Sequence, residues 1–260
     1  MISQLKIYGI AFKNALASRM AYRIDLFVSA FIMLVFELII PLVTLLIYSS
    51  GGGFPGWKFH EVFLIQAVFL LCKGITFPFF AGIVWNTITQ IREGTYDLLL
   101  IKPRNILFMT LLTGIDIEDL GKLLGGIAMF VYAVSLVPDP GALNWLAFAL
   151  LFVCALLVFA SFAFIMAASG FKWVGNFRVY EIFEALTSFS MYPASIFSKG
   201  VQVLITACIP LALMGFFPAS LILGKSLEGL FVSLASCGFF FIFSIFFWYR
   251  MLRSYTSAGG

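Results

Sequence analysis

The chain has 260 residues, of which 62% are hydrophobic and only 11% charged, with 32 Phe, one His and a formal net charge of +4. A soluble domain carries roughly 25% charged residues, so this composition excludes a soluble enzyme, a nucleic-acid binder, a disordered chain and a disulfide-rich secreted module. What remains is an all-α polytopic membrane protein, in which six spans of roughly 20 apolar residues would use about half the chain.

In chain order, the first 23 residues carry Lys6, Lys13, Arg19 and Arg23 and show no cleavable signal peptide. Ile2, Leu5, Ile7, Ile10 and Phe12 could share one side, which predicts an interfacial helix over 1–23 on the cytoplasmic surface. The first span covers 24–48, broken by Glu37 and Pro41, and ends at the turn containing Gly51, Gly52, Gly53 and Pro55. The second covers 62–84 and is interrupted by Lys73; a polar stretch follows over 86–119. The third and fourth cover 120–138 and 142–170, joined by the turn Pro138-Asp139-Pro140-Gly141. After a short loop with Lys172, Asn176 and Arg178, the last span is 229–249, before a polar tail.

Two apolar blocks remain, 182–198 and 200–224, separated by Ser198-Lys199-Gly200. Charge placement decides how they cross. With both termini cytoplasmic, the inner segments hold Lys6, Lys13, Arg19, Arg23, Arg92, Lys102, Arg104, Lys172, Arg178, Arg250 and Arg253, and the outer ones only Lys58, Lys199 and Lys225. That asymmetry favours six spans, so one block fails to cross. Pro193, Pro210 and Pro218 punctuate the region, and proline interrupts helix hydrogen bonding. The fifth span is assigned to 177–197, and 200–224 becomes a re-entrant hairpin at the outer face, tolerable in a bilayer only when packed in protein. The reverse assignment stays open.

Glu37 and Lys73 both fall near the middle of antiparallel spans. A lone charge at the midplane costs about 2.5–3.5 kcal/mol on insertion scales, and pairing would relieve most of it. The pair either fixes the register of two helices or lines a substrate path. Asp116, Glu118, Asp119 and Lys122 have the three- and four-residue spacings of a charged helix surface at the entry to the third span. Cys72, Cys154, Cys208 and Cys237 lie in apolar runs and read as small buried hydrophobes, not metal ligands. Ala219-Ser220-Leu221-Ile222-Leu223-Gly224-Lys225-Ser226 fits a relaxed phosphate-loop pattern, but lacks the glycine-rich middle and the preceding strand that phosphate binding needs. No HExxH occurs, and no nucleophile–base–acid set can be built around His60; no catalytic or metal residue is expected.

Between the second and third spans lies Ile91-Arg92-Glu93-Gly94-Thr95-Tyr96-Asp97-Leu98-Leu99-Leu100-Ile101-Lys102-Pro103. It is too short and too charged to span. A short helix could start near Thr95 and must end around Pro103, which suits docking into a groove of a soluble partner.

With Tyr192-Pro193, Ile209-Pro210 and Phe217-Pro218-Ala219 downstream, this loop makes the chain resemble the ABC-2 type permeases, in particular the small bacterial branch of single six-span subunits. The resemblance extends over nearly the whole chain in span number, order and loop sizes. It implies one transmembrane permease domain over 1–260, in the bacterial cytoplasmic (inner) membrane, paired with a second permease subunit, identical or paralogous. It also implies a separate ABC ATPase, present twice, which would bind ATP and Mg; this chain would hold no cofactor and meet no nucleic acid. Arg92, Glu93, Gly94, Tyr96, Asp97, Leu98, Leu99, Lys102 and Pro103 would form the ATPase-coupling contact, helped by the N-terminal helix. The hairpin, marked by Tyr192, Pro193, Pro210 and Pro218, would line or cap the outer exit, and the first, second and fifth spans would border the path. Export follows from the likeness alone. The Glu37/Lys73 pair belongs to no signature of that family.

Two other classes compete. An ion-coupled secondary transporter could use Glu37 and Lys73, although such proteins show two internal halves and none is visible here. A membrane-embedded enzyme or assembly scaffold is the third reading.

Overall fold

The computed structural model describes residues 4–115, 117, 120–173, 175–176 and 178–257. Ile2 and the acidic trio Asp116, Glu118 and Asp119 lie outside these, as does the side chain of Leu5. Every regular element among the described residues is helical.

Helix α1 (Gln4–Met20) leads into α2 (Arg23–Ser49), a 27-residue apolar helix that stops at the glycine turn, where Gly51 takes φ 85. Helix α3 (Phe59–Thr76) starts where the Lys58 N–H donates to Glu61 Oε2 at 2.8 Å, half of a capping box. It does not end at Pro78. A π-turn over Phe77–Ala81 absorbs the proline and passes straight into α4 (Gly82–Arg92). The resulting rod Phe59–Arg92 has 34 residues, about 51 Å at ~1.5 Å per residue, well beyond the ~30 Å hydrocarbon core of a bilayer. The helix thus runs past the expected span end at 84, because Val84, Ile88 and Ile91 recur at helical spacing and are buried.

Within the expected polar stretch 86–119 the structure holds α5 (Asp97–Leu100) and α6 (Ile106–Thr113). Helix α6 is apolar and is capped by Asn105, whose Oδ1 accepts from the Phe108 N–H at 3.3 Å. Then come α7 (Leu120–Ser135) and α8 (Ala142–Ser169). In the block assigned as fifth span, α9 (Arg178–Thr187) has only ten residues; it continues as a 3-10 turn over Ser188–Met191 and breaks at extended Tyr192 before Pro193. Helix α10 (Lys199–Val203) carries a π-turn over Leu204–Cys208, a 3-10 turn spans Leu211–Met214, and α11 (Phe216–Ile222) follows. Helix α12 (Leu230–Leu252) closes the chain.

Four helices among the described residues are long and apolar enough to cross a membrane: α2, the α3–α4 rod, α8 and α12. The rod is the centre, packed on α7 and α8; α2 lies against α7 and α3, and α12 against α8. Close approach between α3 and α7 depends on missing side chains: a Cβ on Gly126 would stand 2.7 Å from the Leu71 Cα, and one on Gly74 2.6 Å from the Leu123 Cα. Small residues let membrane helices meet backbone to backbone. The outward faces of α2 and α12 are bare hydrocarbon, with Phe27 73% and Phe231 86% exposed, a surface that only lipid or another apolar protein face covers.

Of the residues expected on the apolar side of α1, Ile10 is exposed and Phe12 packs inward: Tyr8 and Phe12, four apart, turn together onto Phe79 of the π-turn at 6.4 and 5.9 Å between ring centres.

Candidate functional site: a buried ion cluster and an exposed elbow

Helices α2 and α3 run antiparallel, so residues whose numbers change in opposite directions face each other. Glu37 meets Lys73 at 2.8 Å, and seven residues along each helix the Gln66 amide donates to Thr44 Oγ1 at 2.7 Å. Seven residues is two helical turns, so one seam carries both polar rungs. Both Lys73 and Glu37 are nearly sealed from solvent.

Lys73 has a second carboxylate. Glu184 of α9 stands at 3.3 Å, and the Tyr180 hydroxyl, one turn earlier, donates to the other Glu184 oxygen at 2.9 Å. The ring of Phe77 lies below the Lys73 ammonium at 5.2 Å, with the Lys122 ammonium at 4.0 Å, an arrangement that cation–π attraction favours. Three helices therefore converge on one lysine. The expected pair Glu37/Lys73 is present, and sequence reasoning missed Glu184, whose signal was a carboxylate inside the apolar block 182–198.

The helices that hold this cluster are interrupted beside it. A proline at position i lacks the N–H that would bond to the carbonyl of residue i−4. Pro41 thus releases the Glu37 carbonyl, and Pro78 releases that of Gly74, next to Lys73. The π-turn Phe77–Ala81 is the visible result on the rod. A side-chain ion cluster sits where the backbone ladders of both helices are weakest.

The far end of the rod carries the elbow. After Arg92, Gly94 takes φ 71, the left-handed conformation that glycine adopts without strain. This turns α5 across the end of the bundle. Tyr96 and Leu99 face inward and are buried; Leu98, Leu100 and Ile101 face out, Ile101 at 78% exposure, beside exposed Arg92, Glu93, Lys102 and Pro103. Asp97 is half-buried. The Tyr96 hydroxyl pairs with Thr110 of α6 at 3.2 Å, and burial pushes its pKa up to about 12, so it stays protonated at neutral pH.

Tyr192 is half-buried, while Pro193, Pro210 and Pro218 are buried. Tyr192 packs edge-on against Phe54 at 5.6 Å, whereas Pro210 and Pro218 are buried with the 3-10 turn and α11. Ser190 Oγ donates to the Leu211 carbonyl at 2.9 Å, fastening α9 to that turn. Lys199 and Lys225, at the two ends of the broken segment, open on one cleft of about 660 Å³ with Trp57, Phe216 and Glu228. Residues 219–222 are the last turn of α11, not the strand and loop of a phosphate site, and the Lys225 ammonium is held by Glu61 at 2.7 Å and lies over Trp57 at 3.7 Å.

A family profile described as "ABC-2 family transporter protein" matches residues 26–259. Neither the curated proteins nor the solved structures yield a match.

Proposed function

Because this chain belongs to the ABC-2 transporter family and is a multi-pass membrane protein, we propose that it is the permease subunit of an ATP-driven exporter. It works with two copies of an ABC ATPase that bind ATP and Mg, and with a second permease, identical or paralogous. It crosses the bacterial inner membrane six times: through α2, the α3–α4 rod, α8 and α12, each long enough to span alone, and through 120–138, built on α7, and 177–197, where α9 with its 3-10 turn supplies only part of the crossing. The segment 200–224 is the re-entrant hairpin, since Lys199 and Lys225, which flank it, open on the same cleft. The elbow end is cytoplasmic, because Arg92, Lys102, Arg104, Lys172, Arg178, Arg250 and Arg253 gather there while Lys58, Lys199 and Lys225 mark the other.

The observation that carries this reading is the shape of the elbow. An outward row of Leu98, Leu100 and Ile101, flanked by Arg92, Glu93 and Lys102, rides on inward anchors Tyr96 and Leu99 at the end of a 34-residue rod. ATPase closure displaces this row. The rod transmits the motion to the proline-weakened turn at Phe77–Ala81, and the Lys73 cluster beside it changes partners as a midplane path opens outward. Tyr96 and Leu99 serve as the rigid root of the contact; the outward residues touch the ATPase.

The test is purification of the permease in mild detergent followed by an ATPase assay. Co-purification of an ATP-hydrolysing subunit, lost on charge reversal at Arg92, Glu93 and Lys102, supports the reading. Recovery of the chain alone, with a proton- or sodium-driven flux, favours a secondary transporter.

A further inference from the structure

The elbow is not held by the rod alone. Its buried ring, Tyr96, belongs to a cage of four aromatic residues drawn from four parts of the chain. Phe171, just past α8, stands 5.1 Å from Tyr96; Tyr255, in the tail after α12, stands 5.6 Å from Tyr96 and 6.0 Å from Phe171; Trp248 of α12 stands 5.1 Å from Phe171. Two polar bonds flank the cage. Ser257 Oγ donates to Asp97 Oδ2 of α5 at 2.6 Å, and the Asn105 amide, at the cap of α6, donates to the Tyr249 hydroxyl at 3.0 Å. The tail therefore lies against the inner side of α5, while α12 itself is tied to the cap of α6, the helix that follows the elbow.

The other end of that grip reaches the broken segment. Helix α12 packs along α8 and against the π-turn Leu204–Cys208, and Ser236 Oγ donates to the Ala207 carbonyl. The elbow is thus joined to the segment 204–208 by a second, continuous line of contact that bypasses the rod.

We propose that residues 253–257 are a clasp that makes the elbow and α12 one mechanical body, with Tyr255 and Ser257 as its positioning residues. A displacement of α5 then moves α12 and, through it, the π-turn at 204–208, instead of being absorbed as local bending at Gly94. Edge-to-face ring pairs add to area burial, and a short hydroxyl–carboxylate bond is among the stronger hydrogen bonds; both are lost together when the tail detaches. The clasp rests on the coupling role given to the elbow above, but its structural part stands without an ATPase.

Hydrogen–deuterium exchange on the detergent-purified full chain reads that structural part directly. Tyr255→Ala combined with Ser257→Ala, or truncation after Arg253, is expected to raise amide exchange over residues 95–101 at least tenfold, while α3 and α8 keep parental exchange as the check on folding. Tyr255→Phe keeps the ring and is expected to restore protection. Unchanged exchange at 95–101 in the double variant overturns the clasp. In the ATPase complex, addition of ATP with vanadate is expected to change exchange at 204–208 in the parent and not in the double variant, with ATPase still bound. A nucleotide-dependent change that survives in the double variant overturns transmission through α12. If the parent binds no ATPase, the coupling reading fails, and the first measurement still decides the clasp.

Discussion

Glu184 reaches Lys73 across 111 residues of sequence, at 3.3 Å, and so turns a two-helix ion pair into a three-helix junction. Glu37 from α2 and Glu184 from α9 share one ammonium rooted in the central rod. That sharing sets different consequences for each deletion.

Lys73→Met leaves the nearly sealed Glu37 carboxylate without its cation, while Glu184, 37% exposed and bonded to the Tyr180 hydroxyl, keeps water and a partner. Breaking a buried ion pair from one side typically costs about 3–5 kcal/mol, and that range is expected here. Glu37→Gln leaves Lys73 with Glu184 and should cost about 1–2 kcal/mol less than Lys73→Met. The double variant Glu37→Gln/Lys73→Met should lie above Lys73→Met in stability, since it removes the one charge left buried. Thermal unfolding of the purified chain in one detergent ranks the three; a Lys73→Met variant as stable as the parent would contradict the junction.

The α3–α7 contact supplies a test with two signs. Gly126→Ala puts its Cβ 2.7 Å from the Leu71 Cα, whereas Gly125→Ala puts its own 3.5 Å from Leu34 Cγ, an ordinary contact. Overpacking costs about 1–3 kcal/mol, and Ala exceeds Gly in helix propensity by about 1 kcal/mol. Gly126→Ala is therefore expected to lower the melting temperature, and Gly125→Ala to leave it unchanged or raise it.

Pro78→Ala supplies the N–H that the Gly74 carbonyl lacks. Replacing an interior proline recovers up to about 3 kcal/mol of helix stability, so the melting temperature should rise. If the break is the pivot of the rod, nucleotide-driven motion should fall at the same time, read as a reduced ATP-dependent change in exchange over 77–81. A variant that is both more stable and fully mobile would show that the pivot lies elsewhere.

On the elbow, Leu98→Asp and Ile101→Asp alter side chains that are 60% and 78% exposed. Their effect on the melting temperature is expected to be within about 0.5 kcal/mol, while co-purification of an ATPase subunit is lost. Tyr96→Ala removes a fully buried ring and should cost about 3–5 kcal/mol, weakening the same association through loss of the root.

The class of the molecule was legible because composition acts residue by residue: the apolar content and the gathering of basic residues need no knowledge of what touches what. The Glu37/Lys73 pair was legible for the same reason, from the cost of a lone midplane charge. Boundaries were harder where local chemistry conflicts with packing. Asn86, Thr89 and Gln90 made α4 look like loop, although Val84, Ile88 and Ile91 carry a helical period. The π-turn inside the span assigned as 62–84 was not foreseen, because it leaves no mark in sequence beyond Pro78 itself. Apolar α6 lay hidden between two charged stretches. Glu184 left a signal, a carboxylate in an apolar block, but not its partner; the tail left none, since the Asp97–Ser257 bond joins residues 160 apart and no local pattern announces such a meeting.

The most direct test of the central claim places a photo-crosslinking residue at Ile101 on the elbow and, separately, at Lys199 on the opposite cleft, in cells expressing the intact transporter. The account predicts a covalent adduct between position 101 and an ATP-hydrolysing subunit, and none from position 199. An ATPase adduct from position 199, or none from position 101 in a complex that hydrolyses ATP, would contradict it.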